Sequence, residues 1–190
     1  MKLERALLGI VLAAAPALAG AQAPTTTSTQ VTAVRAAPVG FRAEYAAGVD
    51  EVGQQLVDLA QAVPADKFSW RPAPGVRSVS EVYVHVAQGN SMLPTFLGAR
   101  RRDGLSRESE KTVTDKARVV ELLKASIQNA RAAAANLSDS DLEKKVKFFG
   151  REMTQRQLLV HILNHMHEHL GQSIAYARIN GVTPPWSKTE

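Results

Sequence analysis

Cysteine is absent from all 190 residues, and that absence excludes disulfides, thiolate zinc sites, iron–sulfur clusters and a cysteine nucleophile together. Any metal must therefore bind through nitrogen or oxygen. The absence also suits an oxidising compartment, where stray thiols are a liability. Aromatic residues are scarce, with two Trp, three Tyr and five Phe. Alanine, leucine and valine are abundant instead, which predicts a core of small aliphatic side chains on helices rather than a β-sandwich. With 45% hydrophobic and 22% charged residues, the composition is that of one ordinary folded domain, and the expected fold class is all-α.

Long apolar runs are missing except near the start, where Lys2 and Arg5 precede an apolar stretch over 6–19 that ends in small residues. That pattern reads as a secretory signal, so an exported product, periplasmic or secreted, is expected. The run falls short of the roughly 20 residues that span a bilayer, and no stable membrane anchor is expected after cleavage. Small residues at the right spacing precede cuts after Ala19 or Ala21, whereas a cut after Ala23 would leave Pro24 first; Ala21 is preferred, giving a signal over 1–21. Residues 22–37 are rich in Thr, Ala and Ser without an apolar period and read as a flexible leader. The folded domain is expected over 38–190. Losing Lys2, Glu4 and Arg5 removes two positive charges and one negative, so the formal charge of +5 becomes +4. The densest basic cluster, Arg100-Arg101-Arg102, lacks interleaved aromatics and lies between Gly98 and Gly104. It reads as a solvated loop, and no nucleic-acid partner is expected.

Four long amphipathic segments follow. Tyr45, Val49, Val52, Leu56, Leu59 and Val63 alternate steps of four and three, the stripe of a first helix ending near Pro64. A polar crossover over 64–77 leads to Ser78 and Glu81, a capping box that opens the second helix. Its stripe is Val82, His85, Gly89, Met92 and Phe96, with Pro94 kinking or ending it, and it turns His85 inward. Val120, Leu123, Ile127, Ala130, Ala134 and Leu137 mark a third helix with an alanine-rich end, broken over 136–141. A short helical turn over 141–145 and an extended piece over 146–153, centred on Gly150, precede a second box at Thr154 and Gln157. The fourth helix is expected over 155–179, before Gly181 and the Pro184-Pro185 stop. Four such segments sharing an apolar face predict a four-helix bundle.

Four of the five histidines crowd this last helix. At about 100° per residue, His161, His165 and His169 advance by only about 40° per step and share a face, while His167 projects to the other side. The core stripe of the helix reads Leu158, Ile162, His165, His169, Gln172 and Tyr176. Two imidazoles replacing aliphatics in that stripe are costly unless something takes their lone pairs. A divalent ion does so, and i, i+4 spacing lets two rings on one helix converge on it. His85, inward beside the small Gly89, supplies a third nitrogen, and His161 is the rival ligand. Gln172, one turn beyond His169, and Glu81, one turn before His85, are candidates for orienting a ligand or bound water. For Glu81 the cap is the stronger role. Glu168 projects about 100° away from His169 and is not assigned as a base.

Trp70-Arg71-Pro72, the serine-capped run from Ser78 to His85, the run from Leu159 to Gln172 and the ending from Gly181 to Pro185 together resemble the DinB/YfiT-like superfamily across nearly the whole mature chain. The resemblance implies a four-helix bundle with His85, His165 and His169 as metal ligands, and carries no implication of polymerase activity. Leu170 departs from the pattern, since many relatives carry arginine before the Gly-Gln pair, and a less basic rim is expected.

Three neutral ligands would leave open positions on a divalent ion such as zinc, nickel or iron and preserve its Lewis acidity. The resemblance implies thiol-dependent transferases and isomerases among the relatives, in which a low-molecular-weight thiol acts as cosubstrate with a small-molecule substrate. Without cysteine, this chain would need that thiol supplied. Export weakens that chemistry, because reduced small thiols are chiefly cytosolic, and raises the alternative of metal-assisted hydrolysis by bound hydroxide; both stay open. The competing expectation is a non-catalytic bundle in which the ion only stabilises the fold. A homodimer is compatible with either.

Overall fold

The computed structural model describes residues 40–101 and 104–187; the expected signal over 1–21 and leader over 22–37 lie outside them. The helices are α1 (Phe41–Ala62), α2 (Val79–Met92), α3 (Ser109–Thr112), α4 (Lys116–Ala132), α5 (Asp139–Leu142) and α6 (Gln155–Ile179), and the strands are β1 (Lys145–Phe148) and β2 (Arg151–Thr154). Helices α1 and α2 each pack against both α4 and α6, which puts α1 and α2 on one diagonal of a four-helix bundle and α4 and α6 on the other. The crossover from α1 to α2 spans that diagonal. No helix among the described residues is long and apolar enough to cross a membrane.

The predicted stripes fill the centre. Val49, Val52, Leu56 and Leu59 of α1 meet Leu123 of α4 and Leu158, Leu159, Ile162 and Met166 of α6, all fully buried. Where α1 and α4 cross, Gly53 admits the side chain of Ile127: a Cβ at that glycine would lie 2.6 Å from Ile127 Cγ2.

Helix ends follow the capping chemistry. Ser78 and Glu81 form both halves of their box, as do Thr154 and Gln157, so orphan amides at the start of α2 and α6 are satisfied reciprocally. At the far end of α6, Gly181 has φ 74°, Val182 N–H donates to Ala177 O at 2.9 Å and Gly181 N–H to Arg178 O at 3.0 Å. Those two bonds close a Schellman motif. Pro94 follows the last turn of α2, and the chain tightens into a 3₁₀ segment, Leu93–Leu97.

Three boundaries differ from the sequence reading. Helix α4 stops at Ala132 rather than near Leu137, because after it the chain tightens into short-range bonds such as Ala135 N–H to Ala132 O at 3.0 Å. The turn expected over 141–145 lies earlier, as α5, because Ser138 and Asp141 make a further capping box. The extended piece is a hairpin, with Phe148 opposite Arg151 and only Phe149 and Gly150 between the strands. Both have positive φ, 45° and 82°, the signature of a type I′ turn. Asn or Gly usually fills its first position; a bulky residue there costs about 1 kcal/mol or more.

Candidate metal centre

Helix α6 carries His165 and His169 one turn apart, and α2 carries His85 facing them. One ring nitrogen from each of the three lies within 4.8 Å of the others. The ring centroids are 4.6 Å apart for His165 and His169, 4.8 Å for His85 and His169, and 5.1 Å for His85 and His165. Gly89 makes this convergence possible, because a Cβ there would sit 2.5 Å from His165 Cε1. His169 is buried and the other two partly so.

Outer partners aim two of the rings. His85 Nδ1 lies 2.7 Å from Glu110 Oε1, and a carboxylate only accepts, so Nδ1 carries the proton and Nε2 keeps its lone pair. His169 Nδ1 lies 2.8 Å from Gln172 Oε1, while the Gln172 amide donates to Tyr176 Oη at 3.0 Å. That leaves His169 Nε2 as an acceptor as well. A protein group held behind a histidine fixes its tautomer and orientation toward a metal.

His165 is different. Its Nε2 lies 3.2 Å from His85 Nε2, and its buried Nδ1 has no hydrogen-bond partner. With the proton on Nε2 the buried Nδ1 lone pair is stranded. With it on Nδ1, the buried N–H is stranded and two lone pairs face each other. A divalent ion among the Nε2 atoms removes that repulsion, so the donor set fits one, and nitrogen donors suit zinc, nickel or iron.

The electrostatics keep His165 and His169 available as ligands. Burial, then neighbouring His169 and His85, lowers the pKa of His165 to about 3. Burial also lowers that of His169, against the opposing bond from Gln172. Burial alone would raise the carboxyl of Glu110, but bonds from Arg77, at 2.8 Å, and His85 outweigh it and hold the group below the usual carboxylate range.

The other sequence candidates are dispersed. His161 is exposed and packs edge-on to Phe148 with centroids 4.9 Å apart, outside the three-nitrogen cluster. Gln172 backs His169, as described. Glu81 does not face His85: its carboxylate accepts from Ser78 N–H at 2.8 Å and from Arg71 at 2.8 and 3.1 Å, so it caps the helix and anchors the crossover. His167 is exposed, with Nδ1 3.0 Å from Leu163 O. Leu170 is only 6% exposed and packs in the core, so the position forms no rim. Sequence reasoning missed Glu110 and Arg77. Neither lies in an apolar stripe, and Glu110 stands 25 residues from its histidine.

A cavity of about 770 Å³ opens onto His85 and His165. Its lining includes His161, Met92, the hairpin residues Phe148 and Phe149, and a charged group from α3 and the loop before it.

Comparison with known proteins agrees with this architecture. A DinB-like protein from Bacillus cereus ATCC 10987 is 20% identical, with 76% of this chain and 93% of that one aligned at a TM-score of 0.60. One from Bacillus subtilis is 22% identical, with 74% and 93% aligned at 0.59. A conserved protein from Enterococcus faecalis is 13% identical, with 72% and 94% aligned at 0.58. At these identities the likeness shows the fold alone. No curated protein matches the chain significantly. The DinB family pattern matches residues 35–189, spanning every described helix, and the chain belongs to the DinB family.

Proposed function

We propose that the protein is a metal-dependent enzyme in which His85, His165 and His169 hold one divalent ion and the reaction takes place in the adjoining cavity. The observation that carries this reading is the cavity itself, since a purely structural ion needs no solvent-accessible space beside its ligands. When bound, the ion would supply Lewis acidity, polarising a substrate or lowering the pKa of a nucleophile. Glu110 holds His85 with its lone pair aimed at the site, and Gln172 does the same for His169. Water or a thiol cosubstrate is the nucleophile, since the chain has no thiol of its own. Export, supported by residues 1–21, favours water and therefore hydrolysis.

Titration of cobalt-loaded protein with small thiols and simple anions tests the open position through the ligand-field spectrum. Exchange of ligands is expected, together with metal-dependent hydrolysis of activated esters or thiol transfer to electrophiles. His165→Ala should abolish both metal binding and turnover, and His167→Ala should leave both intact. A saturated ion indifferent to every added ligand, with no turnover, would leave a stabilising metal as the surviving reading.

A further inference from the structure

The cavity lining combines two features the metal site does not require. The first is Phe149, which takes the first of the two positive-φ positions of the hairpin turn and is 68% exposed. A bulky aromatic is unfavourable there on both counts. Its ring lies edge-on to Phe148 and Phe96, with centroids 4.7 and 5.3 Å away, and extends an aromatic wall to the mouth of the cavity. The second is charge. Arg77 and Glu110 neutralise each other in their ion pair. Arg107 and Lys111 also line the cavity, are exposed, and make no ion pair with a described residue. Glu108 is the one further carboxylate in the lining.

We propose that this cavity takes amphipathic acids, with a flat apolar group against Phe148, Phe149 and Met92 and a carboxylate held by Arg107 and Lys111, and that Phe149 determines specificity. Burying an aromatic face against a ring wall supplies affinity, and cations in the lining choose the anion over its neutral analogue. A volume of about 770 Å³ accommodates a bicyclic acid. The inference rests on the proposed enzyme reading only for the reaction that follows binding; the binding itself involves residues outside the histidine cluster.

Calorimetric titration of the full chain with 2-naphthoate and with neutral 2-naphthylmethanol tests it, on metal-loaded and chelator-treated protein alike. The acid is expected to bind both forms and to be preferred over the alcohol. Phe149→Asn, which suits the turn, should weaken the acid by roughly two- to tenfold, the scale of one lost aromatic contact, without lowering the melting temperature. Arg107→Gln combined with Lys111→Gln should bring the acid-to-alcohol affinity ratio toward one. Equal binding of acid and alcohol by the wild type, unchanged affinity in Phe149→Asn, no binding of 2-naphthoate, or binding that vanishes on metal removal would each overturn the proposal. Elemental analysis separates the two readings: retained metal without naphthoate binding sinks this one, and naphthoate binding by a protein that takes up no metal sinks the other.

Discussion

Two helix crossings use the same device for opposite ends. Gly53 on α1 gives up its side chain so that Ile127 of α4 can enter, and Gly89 on α2 does so for His165 of α6, with hypothetical Cβ contacts of 2.6 and 2.5 Å. At the first crossing the space fills with hydrocarbon, the side chain of Ile127. At the second it admits an imidazole with one buried nitrogen that has no partner. Close packing alone explains the first glycine. The second makes sense only if the polar ring it accommodates has work beyond stability, because an aliphatic side chain there would avoid the cost of an unsatisfied polar group.

The sharpest way to break this comparison is to add the missing methyl at each site. Gly89→Ala should displace the His165 ring and abolish stoichiometric cobalt binding in a spectrophotometric titration. Gly53→Ala should keep full binding and instead lose about 1–3 kcal/mol of stability by chemical denaturation, from overpacking against Ile127. Equal metal affinity in the two variants would mean that the glycines are equivalent.

A smaller effect is expected behind the ligands. Glu110→Gln should weaken metal binding by roughly 10- to 100-fold, the usual consequence of losing a carboxylate behind a histidine ligand. Glu81→Ala should leave affinity unchanged and cost about 1 kcal/mol of stability through the lost cap. Competition titration against a chromophoric chelator compares the two.

A further contrast is in pH. Unfolded His165 takes a proton near 6.5, whereas the folded ring resists until about 3. Between those values the unfolded chain binds more protons, so metal-free protein should be fully stable above the upper value and lose stability progressively as pH falls toward the lower one. His165→Leu should flatten that part of the stability profile, while Ile127→Val, at the other crossing, should lower the whole curve without changing its slope.

How much of this was legible from sequence depends on whether a residue's partner is local. The i, i+4 pair His165 and His169, the inward His85 and the two boxes at Ser78 and Thr154 obey spacing rules within single helices, and the histidine faces could be drawn from helical geometry. The box at Ser138 and Asp141 obeys the same rule and was available, but Asp in place of Glu or Gln hid it. Glu110 was not available, because its contact with His85 depends on how the irregular loop after α2 folds back onto that same helix. Glu81 shows the converse: one turn from a ligand along the helix, yet turned toward Arg71 on the crossover. The hairpin turn was obscured because Phe149 occupies a position where Asn or Gly would have signalled it.

The three histidines that would hold an ion are also unequally anchored. The His85 and His169 rings are braced by Glu110 and Gln172, so folding has already restricted their rotation. His165 has no hydrogen-bonded brace on Nδ1 and faces the cavity. Of the three residues that would hold an ion, His165 is therefore the one that folding orients by packing against Gly89 rather than by a hydrogen bond on Nδ1, whereas hydrogen bonds preset His85 and His169. The site would thus depend at two of its ligands on a hydrogen bond and at the third on a missing methyl group.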